Sequence, residues 1–260
     1  LQNISFNKEY SVTDVFKERI NKINKKTIPK IKYRMNNFGH RSEDFDVLDK
    51  SKTNILYAGC SMAFGEYLPE GYSWQYHVHK GMSKKFDTSK PFTLSYPGGS
   101  VQKIIDNIYK YINLFGKPDY IFLLLPDLFR TNWPTTDGDL FVIKMRHQND
   151  LDSSSTMSEH SMIYSCQAYY RSFEIFCSQL GIKLYTSSWD DETSHIFSTL
   201  GFSNYGNMDL EREEDFLMSL NKDDLDGYDK DFLVSAADSV HPGVITSMYF
   251  AKHFLDRVEQ

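Results

Sequence analysis

Residues 119–125, Asp-Tyr-Ile-Phe-Leu-Leu-Leu, are apolar at every position after the first two and are stopped by Pro126. A strand with one wet face alternates apolar and polar residues. A run apolar on both parities predicts a central parallel strand covered on both faces. Such a strand demands helices on either side, and the chain supplies them. Residues 54–59 (Asn-Ile-Leu-Tyr-Ala-Gly), 91–96 and 182–186 are further short strand candidates. Helical patterns fall at 73–84, 100–114, 161–180 and 246–258. In the second of these Val101, Ile104, Ile105, Ile108, Tyr111 and Ile112 share one face. Strands alternating with helices predict an α/β fold of three layers, α/β/α, around a parallel sheet. Ligands in such sheets bind at the carboxyl ends of the strands. Chemistry is therefore expected after Gly59, Tyr96, Leu125 and Thr186.

Two segments differ from this pattern. Residues 1–50 carry Lys17, Arg19, Lys22, Lys25, Lys26, Lys30, Lys32 and Arg34 and are expected to form a basic N-terminal arm packing on the domain of residues 51–260. Excursions are expected at 127–158 and at 189–231, the second holding ten carboxylates between Asp209 and Asp231. The formal net charge is −6, which argues against a nucleic-acid partner, since phosphate binding needs a basic surface. Aromatic residues are 15% of the chain, and so rich a supply argues against disorder. Cys60, Cys166 and Cys177 are too few for a disulfide framework. No run of about 18 apolar residues suggests a transmembrane helix. No signal peptide is legible at the start, and a cytoplasmic location is favoured over export. The oligomeric state is open.

Two local patterns carry chemistry. After the first strand comes Gly59-Cys-Ser61-Met-Ala-Phe-Gly65. A serine just past a strand end can aim both its hydroxyl and its N–H into the cleft. The plainer reading is a cap for the next helix. Near the C-terminus comes Asp238-Ser-Val-His241-Pro-Gly243. An acid three residues before a histidine can orient the ring and stabilise its protonated form. Its plainer reading is a histidine at a helix start with Asp238 as the cap.

Together these blocks resemble the SGNH, or GDSL-type, hydrolase family over residues 51–260. The resemblance implies a flavodoxin-like α/β/α domain and a serine esterase needing no cofactor and no metal. It places the nucleophile on Ser61 and the acid and base on Asp238 and His241. The oxyanion hole falls on the N–H groups of Ser61 and of Gly98, in Pro97-Gly-Gly-Ser100. Two departures stand out. Cys60 replaces the family's Asp, and a thiol nucleophile at Cys60 is a minor alternative. The family's Asn after the central strand, an oxyanion donor, is replaced by Asp127 in Leu125-Pro-Asp-Leu-Phe-Arg130. Three outcomes are open: Asp127 donates as a protonated acid, or Arg130 or Asn132 replaces the donor, Arg130 first because of its reach, or the site is weak. Arg34-Met-Asn-Asn-Phe-Gly-His-Arg41 is similar to a stretch that precedes the core in members linked to polysaccharide modification, with Asn36 or Asn37 and Gly39 making a turn.

The expected reaction is removal of a short acyl group, acetyl first, from a hydroxyl on a carbohydrate. Phe64, Tyr67, Trp74, Phe129 and Trp133 follow the strand ends and are expected to bind the sugar, with Tyr72 beside them. Acyl transfer to a sugar by the same residues, and a non-catalytic carbohydrate-binding or structural protein with a weakened site, are the rivals. Asp224-x-Asp226-Gly227 fails the EF-hand spacing. His77 and His79 diverge on a helix and make a poor metal site. Neither Gly-x-Gly-x-x-Gly nor a phosphate loop is present, so a nucleotide cofactor is not expected.

Overall fold

The structure is a computed structural model and describes residues 10–11, 31–134, 140–144, 159–209, 212–229, 232–234, 236 and 241–259. Four strands make the central sheet: β3 (Ile55–Gly59), β4 (Phe92–Ser95), β5 (Tyr120–Leu125) and β8 (Lys183–Ser188). All pairs are parallel and the spatial order is β4-β3-β5-β8. The chain steps outward to β4 after β3 and then returns to lay β5 on the other side. The strand order therefore reverses between β3 and β5, where open α/β sheets place their ligands.

Alternation along the strands separates two cores. Leu56, Ala58, Cys60, Ile121, Leu123, Leu125 and Leu184 face one side, with Ile104, Ile105 and Ile108 of α3 (Val101–Phe115) and Tyr170 and Phe173 of α4 (Glu159–Leu180). Ile55, Tyr57, Tyr120, Phe122 and Leu124 face the other, with Trp74 and Val78 of α2 (Trp74–Met82) and Phe250 and Phe254 of α7 (Val244–Val258). This is the three-layer α/β/α architecture. Within β5 every residue is buried, as a strand covered on both faces must be.

Local chemistry sets the boundaries. Ser100 caps α3 by accepting from the Lys103 N–H at 3.1 Å, and Asp190 caps α5 (Asp191–Thr199) by accepting from the Thr193 N–H at 3.0 Å. Gly181, with φ +67, ends α4.

The segment before β3 is built into the domain. Phe45 and Leu48 join the first core. Lys32–Tyr33 (β2) pairs antiparallel with Tyr10–Ser11 (β1). The basic residues 17–30 lie outside the described residues.

Two sequence expectations change. The segment from 127 was expected to leave the core at once. Leu128 and Phe129 are instead buried, and the chain continues as an antiparallel hairpin, β6 (Arg130–Pro134) with β7 (Leu140–Lys144). The first hairpin strand, Arg-Thr-Asn-Trp-Pro, lacks an apolar run, whereas Leu140-Phe-Val-Ile143 of the second carries one. The segment from 189 likewise contributes α5, whose Phe197 is fully buried in the first core with Phe202 beside it. The acidic stretch includes α6 (Glu213–Ser219), which has no buried residue. Among the described residues no helix is long and apolar enough to cross a membrane.

Candidate active site

The site forms where β3 ends. Gly59 lies so close to β5 that a Cβ there would stand 2.8 Å from the carbonyl oxygen of Leu124 and 2.9 Å from the Ala63 Cβ. Glycine is the residue that fits. Cys60 turns into the first core and is fully buried. The next residue, Ser61, opens the short helix α1 (Ser61–Phe64). Its hydroxyl lies 3.9 Å from the Cys60 sulfur. One turn later Gly65 takes the left-handed conformation, φ +66 and ψ +46. Tyr67 follows at φ +60, the one non-glycine residue with positive φ among the described residues. Such a residue is strained unless its surroundings hold it.

They do hold it. Tyr67 donates its N–H to the Tyr33 hydroxyl at 2.7 Å. Arg41 donates to the carbonyl oxygens of Phe64 at 3.2 Å, Gly65 at 2.6 Å and Leu68 at 2.9 Å. Its guanidinium lies over the Tyr33 ring, 4.6 Å from the centroid. The expected turn at 36–39 is organised by Asn36. Its Oδ1 accepts from the N–H groups of Phe38 at 3.0 Å and His40 at 2.9 Å, and Gly39 has φ +79. His40 then donates Nδ1–H to the carbonyl oxygen of Ser95 at 2.8 Å. Residues 31–45 thus fasten the ends of both β3 and β4.

His241 reaches the same place from the far end of the chain. The Ala236 N–H donates to the His241 carbonyl oxygen at 2.9 Å, and the Gly243 N–H to that of Val234 at 3.1 Å, closing a loop before α7. Ser61 and His241 line one small cavity with Glu66, Trp74, Pro242 and Ser247. His241 Nε2 lies 3.5 Å from Glu66 Oε2, and its ring centroid is 5.8 Å from that of Tyr67. Asp238 lies outside the described residues.

The other expected donors divide. Gly98 sits in the turn after β4 at φ +74 and is exposed, with open space where a Cβ would go. β4 lies beside β3, and the Tyr96 N–H donates to the Gly59 carbonyl oxygen at 3.1 Å. This turn and Ser61 therefore share one end of the sheet. Asp127 is fully buried, and its Oδ1 accepts from the Phe129 N–H at 2.9 Å, an Asx turn. Arg130 lies over the Trp189 ring at 5.7 Å, and its Nη1 is buried with no hydrogen-bond partner among the described residues. Asn132 is in β6, where only its backbone is described.

The aromatic residues expected to bind sugar are placed differently. Phe64, Tyr67, Trp74 and Phe129 are buried, at 8%, 4%, 1% and 5% exposure. Phe64 and Tyr67 pack with Ile31 and Tyr33, and Trp74 packs in the second core against Phe254. Phe64 and Phe129 are so enclosed that they offer a sugar little face, whereas Trp74, though buried, lines the cavity of Ser61 and His241. Tyr72 is half-buried against Tyr228, and the Trp133 side chain is not among those described. The exposed aromatic residue beside the Gly98 turn is Tyr96. Nothing in its surrounding sequence distinguishes it. Trp189, just past β8, packs against both cores.

Other candidates are spread out. His79 Nδ1 meets the Tyr57 hydroxyl at 3.2 Å, whereas His77 faces Tyr228. Among the described residues no three of His, Cys, Asp or Glu gather to hold a metal ion. Burial pushes the Cys166 thiol up to about 11 and the Cys177 thiol up to about 12, so neither is a nucleophile at neutral pH.

The fold and this strand-end arrangement define an open parallel α/β/α domain with a serine and a histidine in one cavity. No family model and no curated protein matches the chain. Similar solved structures include TesA, at 12% identity and TM-score 0.46, covering 76% of this chain and 94% of that one. An acetyl xylan esterase, AlAXEase, is 16% identical at TM-score 0.44, covering 78% and 98%. The psychrotrophic esterase EstA of Pseudoalteromonas sp. is 12% identical at TM-score 0.46, covering 80% and 97%.

Proposed function

We propose that the protein is a serine esterase that removes a short acyl group, acetyl first, from a hydroxyl on a carbohydrate. The observation that carries this reading is the meeting of Ser61 and His241 in one cavity at the end of the sheet where strand order reverses. In this reading the Ser61 hydroxyl attacks the ester carbonyl while His241 takes its proton. Asp238, three residues earlier, orients the imidazole. The N–H groups of Ser61 and Gly98 receive the developing oxyanion. His241 returns the proton to the leaving alcohol and then activates water to release the acid. The carbohydrate part of the reading rests on the resemblance of residues 34–41, whose turn and arginine support the Ser61 block.

One observation favours a second reading, a binding protein that keeps the fold with a weakened site. Asp127 stands where the family's oxyanion asparagine would be and uses its carboxylate as an acceptor. A fluorophosphonate probe separates the two. The esterase reading expects covalent labelling that Ser61→Ala abolishes. No labelling of the native protein would sink it, and labelling retained by Ser61→Ala would move the nucleophile elsewhere. Release of acetate from acetylated glycans then tests the substrate class.

A further inference from the structure

Glu66 follows Ser61 by five residues, and its N–H donates to the Ser61 carbonyl oxygen at 3.1 Å. The same turn that presents the serine therefore presents a carboxylate. That carboxylate lies 3.5 Å from His241 Nε2, with the Glu66 side chain 10% and the His241 side chain 19% exposed. A carboxylate so nearly enclosed is weakly screened by solvent from any positive charge that forms on the ring beside it. Tyr67, the next residue, packs its ring against the same imidazole. Sequence spacing points to Asp238 as the histidine's acid and says nothing of Glu66.

We propose that Glu66 is a positioning residue for His241. Its carboxylate holds the imidazole beside the Ser61 turn and stabilises the imidazolium formed during catalysis. This inference rests on the esterase reading above. In acylation the Ser61 Oγ forms a bond to the carbonyl carbon, and the carbonyl π pair moves onto oxygen. The Oγ proton passes to His241 Nδ1, since Nε2 is the nitrogen that faces Glu66; Glu66 thus takes the orienting role that the spacing assigns to Asp238. When the tetrahedral species collapses, the bond to the alcohol oxygen breaks and that oxygen takes the proton from His241. Glu66 stays ionised throughout and exchanges no proton. Its contribution is greatest while the imidazole is charged, which is the condition for lowering a barrier rather than tightening the ground state.

The turn is built to hold this carboxylate still. Glu66 lies between Gly65 and Tyr67, both left-handed. Arg41 bonds to carbonyl oxygens on either side of it, and Tyr33 holds the Tyr67 amide. A side chain rooted in so constrained a turn has few ways to swing from its partner.

The test uses the whole chain with 15N-labelled histidine. Imidazole nitrogen resonances are compared in the native protein, Glu66→Gln and Glu66→Asp, with His241→Gln identifying the His241 signals. The rate of fluorophosphonate labelling is measured on the same samples, and thermal unfolding verifies that each is folded. Glu66→Gln is expected to move the His241 nitrogens, leave the other histidines in place and slow labelling about tenfold or more. Glu66→Asp, which keeps the charge, is expected to recover most of that rate. His241 nitrogens unmoved in Glu66→Gln overturn the proposal. Equal slowing in both variants also overturns it, because packing rather than charge would then explain the loss. A native protein that never labels overturns the esterase reading and the catalytic half of this one. The nitrogen resonances still decide the Glu66–His241 contact on their own.

Discussion

Arg41 donates to the carbonyl oxygen of Gly65 at 2.6 Å, tying a residue that precedes the sheet to the turn that follows the candidate nucleophile. Burial lowers the guanidinium's proton affinity, yet an arginine stays charged at any ordinary pH. It spends that charge on the carbonyl oxygens of Phe64, Gly65 and Leu68, of which Gly65 also accepts from the Leu68 N–H at 3.1 Å. Arg41→Ala should cost about 3 kcal/mol, read as a lowered chemical-denaturation midpoint, since hydrogen bonds to charged groups are worth ~1.5–3 kcal/mol each and their removal leaves buried acceptors unmet. Labelling at Ser61 should slow as well. Arg41→Lys should recover less than half of the stability, because an ammonium cannot span three acceptors in a plane.

Two glycines at strand ends should answer differently to alanine. Gly98→Ala meets no neighbour and should cost only about 1–2 kcal/mol for its left-handed conformation. Its N–H should be displaced, and labelling of Ser61 should fall by about 10-fold to 100-fold. Gly59→Ala drives a methyl group against the Leu124 carbonyl oxygen and should lower stability before anything else. Equal stability losses in the two variants would contradict this placement.

Asp127→Asn tests the departure after the central strand. An asparagine Oδ1 can accept the Phe129 N–H as the carboxylate does now, so stability should change by less than about 1 kcal/mol. The amide brings a donor to the position, and the labelling rate should rise by about tenfold or more. A fall in rate would show that a missing donor is not what limits the site.

Acid should destabilise the fold through two half-buried histidines. Burial holds His77 and His253 down to about 4, against an ordinary value of 6.5. Nε2 of each is buried without a hydrogen-bond partner among the described residues. The unfolded chain binds these protons more tightly than the folded one, so stability falls as pH drops from about 6.5 towards 4 and is insensitive to these groups above that window. Each tenfold difference in proton affinity is worth about 1.4 kcal/mol. Denaturation midpoints measured between pH 4 and 8 should show this loss, and His77→Gln should flatten it. An identical pH slope in that variant would rule His77 out.

Trp74 and Phe129 should behave as core residues. Replacing either by alanine should cost about 3–5 kcal/mol, far more than loss of a surface ring that stacks on sugar. A folded, stable Trp74→Ala protein with impaired substrate binding alone would restore the sugar-binding expectation.

The features legible in the sequence are those fixed by short-range periodicity. Residues 119–125 announce a strand buried on both faces because no residue past Tyr120 could stand in water at low cost, and β5 is that strand. Gly59-Cys-Ser61 is legible because the strand must end there. The burial of the aromatic residues after the strand ends is not legible in the sequence, for a physical reason. A residue such as Phe64 or Trp74 can roll into the cleft or under it, and local sequence does not carry the choice. The choice is made by partners far along the chain, Tyr33 for one and Phe254 for the other. Glu66 was invisible for the same reason, its meaning resting on a histidine brought back by α7. The hairpin of β6 and β7 is only half legible: Leu140-Phe-Val-Ile143 is a continuous apolar run, whereas Arg130–Pro134 carries no such signal.

The close approach at Gly59 has a consequence for how the site ages under heat. That glycine is a spacer and not a hinge. It lets two strands touch, so the chain that carries Ser61 rides on the sheet without a flexible joint. Heat-inactivation curves read by Ser61 labelling should therefore overlay the unfolding curve of the whole domain, with no earlier step in which the chemistry fails alone. A catalyst built this way would be robust up to its melting point and would give little warning before it.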